Sequence, residues 1–132
     1  MTVRWIPSQA IIAIHAELIS EHGGLIGKVN EHSLESTLAR PKNINSYSEE
    51  NPDIIVFAAA YGDGLAMNHC FTDGNKQVAL SAIDVFLQLN GFELVASEVD
   101  AASTMLQVAA GEMGEAELIE WIRQNHQDLA EG

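Results

Sequence analysis

The chain has 132 residues, 19 Asp and Glu against 6 Lys and Arg, five His and one Cys, giving a formal charge of −13. An acidic surplus of that size repels phosphate backbones and anionic lipid, which argues against binding nucleic acid as a polymer or a membrane surface. One cysteine allows neither an internal disulfide framework nor a multi-cysteine zinc site. The length fits a single domain spanning residues 1–132, large enough to hold one core without staples. No stretch approaches 18 uninterrupted apolar residues, and the start, Met1 to Pro7, lacks a signal-peptide pattern. The expectation is a cytoplasmic protein.

Pro7-Ser8 is a helix-start signal, with Ser8 the expected cap. Ile11, His15, Leu18 and His22 then fall on one helical stripe, where packing is a commoner role for two histidines than metal binding. Gly23-Gly24 ends that stretch. Asn30 or Ser33 caps a second, short helix through Leu34 and Leu38, and Pro41 is expected to stop it. Residues 42–52 are polar and read as a loop. From Asp53 the sequence turns densely apolar through Met67, as in a helix buried on every side. Gly62 and Gly64 weaken that helix, and close approach of a neighbouring helix is a reason to keep them. A second strong helix runs from Lys76 to about Asn90, with Ala79, Ala82, Ile83, Phe86 and Leu89 on one face and Asn90-Gly91 closing it. Phe92 to Val95 is a turn or a stub of strand. Two further helices are predicted at about 98–109 and 114–126, and Glu112, Glu115, Glu117 and Glu120 read as a solvated face at and before the second. No alternating run is long enough to build a sheet, so the fold class is all-α.

Between the two apolar helices lies His69-Cys70-Phe71-Thr72-Asp73-Gly74-Asn75-Lys76-Gln77. A helix start exposes backbone N–H groups without internal partners, and its dipole favours negative charge. Gly74 allows close approach of a ligand to the backbone. Lys76 falls in the first turn, where helices usually carry acids, and so points to an anion from outside. An imidazole such as that of His69 is suited to proton transfer. Asp73 is a hard oxygen ligand of the kind that holds Mg²⁺ beside phosphates, and could cap the following helix as an additional role. Base, metal ligand, amide cradle and lysine within eight residues are the components of a phosphoryl- or nucleotidyl-transfer site. Cys70, among apolar neighbours, reads as a buried, inert thiol.

This segment resembles the signature of the Fic/Doc family, His-x-Phe-x-Asp/Glu-Gly/Ala-Asn-Lys/Gly-Arg. Chain length, Ala79-Leu80 and Phe86-Leu87-Gln88-Leu89-Asn90-Gly91 resemble the short Doc (death-on-curing) branch, as do Glu21 to Gly27 and Leu34 to Pro41. The resemblance covers about residues 5–125. It implies a compact bundle of about six helices with the signature loop between the two central ones. It implies a toxin that transfers the γ-phosphate of ATP, or in Fic relatives a nucleotide monophosphate, to a hydroxyl of a target protein of the elongation factor Tu class. By position, His69 would be the general base, Asp73 the Mg²⁺ ligand, Gly74 and Asn75 the phosphate cradle, Lys76 the neutralising cation and Phe71 the pin holding the loop in the core. The resemblance further implies an antitoxin supplied in trans as the partner.

The match departs from the signature where Gln77 stands in place of arginine. Arginine offers five donors in a charged, rigid fork, and losing one charge-assisted phosphate contact is worth on the order of 1.5–3 kcal/mol. Glu21-His22 stands where Doc relatives often carry a basic residue followed by an aromatic, and Ser81 stands where asparagine is common; Lys28, Arg40 and Lys42 are the upstream cations that could compensate. The expectations are therefore an ATP- and Mg²⁺-dependent transferase weakened at Gln77 or, alternatively, a catalytically silent Fic/Doc fold that binds an antitoxin-like partner.

Overall fold

A computed structural model describes residues 2–48 and 50–129. Six helices form within them: α1 Ser8–His22, α2 Glu31–Tyr47, α3 Ile54–Met67, α4 Asn75–Leu89, α5 Glu98–Ala109 and α6 Glu115–Gln124. Two short strands, β1 Phe92–Leu94 and β2 His126–Asp128, pair antiparallel with Glu93 opposite Gln127. The all-α expectation holds. No helix among the described residues is long and apolar enough to cross a membrane.

Helix α3 is the centre. Eleven of its 14 residues are buried, and it packs against α2, α4, α5 and α6. Its two glycines admit neighbouring side chains. A Cβ on Gly62 would lie 2.5 Å from Ile83 Cδ1 of α4, and one on Gly64 would lie 2.7 Å from Thr37 Cγ2 of α2. Tyr61 is fully buried and satisfies its hydroxyl by accepting from the Ile6 N–H at 3.1 Å. That bond ties the N-terminal segment to the core, where Trp5 packs on Phe57 and Phe86 at centroid distances of 5.3 and 5.8 Å.

Three local expectations change. Ser8 does not cap α1; Pro7 occupies the cap position, and Ser8 is the first helical residue. Pro41 does not end α2, which continues to Tyr47 and takes in part of the expected loop. Proline removes one helical donor, but the ring of Pro41 is buried and Ile44, one turn on, packs against the core. Burial of that face offsets the missing bond. Finally, α6 stops at Gln124, and His126 belongs to β2, held by pairing with β1.

Helix α6 is fastened at both ends. At its start Glu115 forms a two-pronged ion pair with Arg40 of α2, one prong at 2.7 Å. At its end Arg123 grips the Asp53 carboxylate at 2.7 and 3.3 Å. Asp53 also caps α3, accepting from the Val56 N–H at 3.1 Å. Burial raises the Asp53 pKa, but the Arg123 and Val56 hydrogen bonds outweigh it and leave the carboxyl below the ordinary aspartate value. Glu115 is thus not part of a freely solvated face.

Candidate functional site

The segment 68–77 joins the end of α3 to the start of α4, with Cys70 and Phe71 buried and exposed residues on either side of them. Asn68 closes α3 and donates to Thr37 Oγ1 at 2.9 Å, while its carbonyl accepts from Ser33 Oγ at 2.9 Å. His69 follows with φ of 49° and an exposed side chain. Left-handed backbone at a residue other than glycine is uncommon and costs about 1 kcal/mol. Here it turns the imidazole outward as the chain passes to buried Cys70 and Phe71. The Cys70 thiol is enclosed, 3.6 Å from both Ser33 Oγ and Thr37 Oγ1.

Phe71 is the hub. Its ring lies against His15 of α1, nearly parallel at 11° with centroids 3.9 Å apart. Its backbone is bracketed by Asn75, whose side chain accepts from the Phe71 N–H at 3.1 Å and donates to the Phe71 carbonyl at 2.9 Å. The carboxamide of Asn75 therefore braces the loop, and what it can offer a phosphate is its backbone N–H.

A second layer comes from the connection between α1 and α2, which runs beside the loop. Asn30 N–H donates to the Cys70 carbonyl at 2.8 Å, and Lys28 N–H donates to Thr72 Oγ1 at 3.2 Å. Leu25 N–H donates to Asp73 Oδ2 at 3.1 Å. The ribbon approaches so closely that a Cβ on Gly24 would lie 2.8 Å from Asp73 Oδ2, at a backbone φ of +118° that suits glycine. The Leu25 amide, with that of Gly74 at 2.9 Å, lowers the Asp73 pKa below the ordinary aspartate value. Asp73 stays ionised and exposed. It does not cap α4 in the usual way, because Gly74 holds the cap position with φ of 79°.

Val78 N–H makes the first helical bond of α4, to the Gly74 carbonyl at 3.0 Å. The amides of Asn75, Lys76 and Gln77 precede it and face the open end of the helix. Lys76 and Gln77 are exposed there. Gln77, His22, Gly23, Leu18, Asp73 and Gly74 line a notch of about 30 Å³, room for only a water or two. On its other side Gln77 joins Lys76, Leu80, Met105 and Leu106 along an apolar groove of about 270 Å³ between α4 and α5. Among the upstream cations, Lys28 is tied to Thr72 through its backbone, whereas Arg40 is engaged by Glu115.

The structure thus gathers His69, Phe71, Asp73, Gly74, Asn75, Lys76 and Gln77 at one end of the two central helices. Sequence reasoning missed the engagement of His15 and of the Leu25 amide. The helical stripe put His15 on a packed face, but only the fold reveals that its Nε2 lies 2.7 Å from the Asp73 carbonyl.

Such an arrangement defines an all-helical protein whose motif loop joins its two central helices. The family model described as "Fic/DOC family" matches residues 5–87, and the chain belongs to that family. It is 31% identical to "Protein kinase doc" of Escherichia phage P1 over 121 residues, 92% of this chain and 94% of that protein. It is 35% identical to "Toxin Doc" of Mycolicibacterium smegmatis over 85 residues, 63% of this chain and 65% of that protein.

Proposed function

We propose that this chain is a Doc-like toxin of a toxin–antitoxin pair, a protein kinase that transfers a phosphoryl group from ATP to a hydroxyl of a target such as elongation factor Tu. The observation that carries the reading is the open first turn of α4, where an ionised Asp73, the Gly74 turn and the Lys76 side chain adjoin an outward-facing His69. The phage P1 relative, named a protein kinase, supports it.

The donor set fits phosphates and a divalent cation. Asp73 offers a hard, charged oxygen at the loop surface, and the amides of Asn75, Lys76 and Gln77 offer unpaired N–H groups beside a lysine. ATP supplies the phosphoryl group, and Asp73 would hold a Mg²⁺ ion whose charge would offset that of the phosphates. His69 takes the proton from the attacking hydroxyl as the new oxygen–phosphorus bond forms and the bond to the ADP oxygen breaks. The electron pair leaves with ADP, and the proton on His69 passes to solvent. Lys76 and the amides hold charge on the transferring group in place. The partner in the pair is an antitoxin acting in trans.

Gln77 favours a second reading, a silent fold retained to bind an antitoxin-like partner. It stands exposed at the rim of the notch without the charge or fork of an arginine. Incubation with labelled ATP and elongation factor Tu decides between the two. Transfer by the wild type, increased about tenfold or more by Gln77→Arg, supports the kinase. If neither protein transfers label and ATP–Mg²⁺ leaves the melting temperature unmoved while the antitoxin raises it, the binding module stands.

A further inference from the structure

We propose that His15 is a positioning residue that sets the orientation of the Asp73–Gly74 peptide and so aims the Gly74 N–H at the Asp73 carboxylate, at the edge of the phosphate cradle. This rests on the kinase reading above. The carbonyl of Asp73 can only accept, so the imidazole Nε2 carries the hydrogen in the 2.7 Å contact. In a trans peptide the carbonyl and the following N–H point in opposite directions. Drawing the Asp73 carbonyl inward to α1 therefore turns the Gly74 N–H outward to the loop surface. There it meets Asp73 Oδ1 at 2.9 Å, at the open end of α4.

Two further features make His15 more than filler. It is 2% exposed and stacked on Phe71, so its ring cannot swing away from the loop. A Cβ on Gly74 would lie 3.5 Å from His15 Nε2 and 3.2 Å from Ile19 Cδ1, so α1 packs directly under the turn that the imidazole fixes. One side chain thus grips the loop at both Phe71 and Asp73, on either side of Thr72. Without the donor, the peptide is free to rotate about the flanking bonds of Gly74, the residue with the widest conformational range.

The test separates the ring from its hydrogen bond. His15→Phe keeps the stacking surface and removes the donor; His15→Gln restores an N–H near the same place. In ¹H–¹⁵N spectra the Gly74 amide of His15→Phe is expected to shift and to exchange with solvent at least tenfold faster, while distant α3 amides stay put. ATP–Mg²⁺ binding should weaken about tenfold and kcat should fall, with KM for the target protein unchanged. His15→Gln should recover most of each loss. An unchanged Gly74 amide in His15→Phe, or no recovery in His15→Gln, overturns the proposal. If neither variant folds, the wild type decides: a slowly exchanging Nε2–H on His15 supports the contact, and its absence refutes it. Should the wild type bind no nucleotide, the kinase reading fails while the Gly74 amide still reports on His15.

Discussion

Asn75 holds both the N–H and the carbonyl of Phe71 with a single carboxamide, at 3.1 and 2.9 Å. The next residue, Lys76, is exposed, and its side chain makes no hydrogen bond among the described residues. Two adjacent residues of one motif therefore act differently. Asn75→Ala leaves two polar groups of the loop without partners and should cost about 1–3 kcal/mol, seen as a fall of several degrees in melting temperature. Lys76→Ala should alter stability by less than about 0.5 kcal/mol and act on nucleotide affinity instead. Thermal melts with and without ATP–Mg²⁺ separate the two.

His69 sits in the left-handed region with φ of 49°. Replacing it with glycine relieves about 1 kcal/mol of backbone strain and adds a similar entropic cost of about 1 kcal/mol in the unfolded chain. The two nearly cancel. His69→Gly is thus expected to melt like the wild type while transfer to the target falls about 10²–10⁴-fold. Rates measured at several pH values should show the loss wherever the wild type is active.

The closeness of Gly64 to Thr37 predicts a further cost. Thr37 is buried, and its hydroxyl accepts from Asn68, so it cannot rotate away from an added methyl without breaking the 2.9 Å bond that holds the end of α3. Overpacking costs about 1–3 kcal/mol, against a helix-propensity gain of about 1 kcal/mol. Gly64→Ala should therefore lose up to about 2 kcal/mol in urea unfolding, although alanine is the better helix former.

Two aspartates on α3 and its cap respond oppositely to acid. Asp53 titrates below the ordinary aspartate value because its bonds to Arg123 and Val56 outweigh burial. Its contribution is present above the unfolded value near 3.9 and disappears as pH falls through the lower folded value. Asp63 titrates above that value, through burial first and then the nearby Glu115. Its ionisation therefore opposes folding at neutral pH, and the penalty vanishes once pH falls below the unfolded value. Asp53→Asn should lower the melting temperature at pH 7, and Asp63→Asn should raise it. The Asp63 difference should close in melts taken near pH 3, whereas the Asp53 difference should shrink only as pH falls through its lower folded value.

Much of this was legible in the chain itself, and the misses have physical causes. The continuous apolar run of α3 admits one solution, burial on all sides, and its glycines announced neighbours that came within touching distance. The site loop was legible because its chemistry is local: a turn, a cation and an acid within eight residues. Pro41 misled because a lost backbone bond is a local signal, whereas the burial of its ring is a property of the whole. A three-residue strand such as β2 has no periodicity to read. His15 carried the right stripe, but its bond to a carbonyl 58 residues away depends on how α1 crosses the loop.

The pairing of Arg40 with Glu115 and of Arg123 with Asp53 takes two of the chain's six cations out of circulation. The remaining surface carries a large uncompensated negative charge, with Lys76 and Lys28 near the loop. For a polyanionic nucleotide the approach is then uphill until the last few ångströms, within a Debye length of about 10 Å at 0.1 M salt. Added salt slows most enzymes that capture charged ligands by steering. Here it should do the reverse: stopped-flow mixing with a fluorescent ATP analogue should show association quickening between low and moderate ionic strength, as the barrier of like charge is screened away.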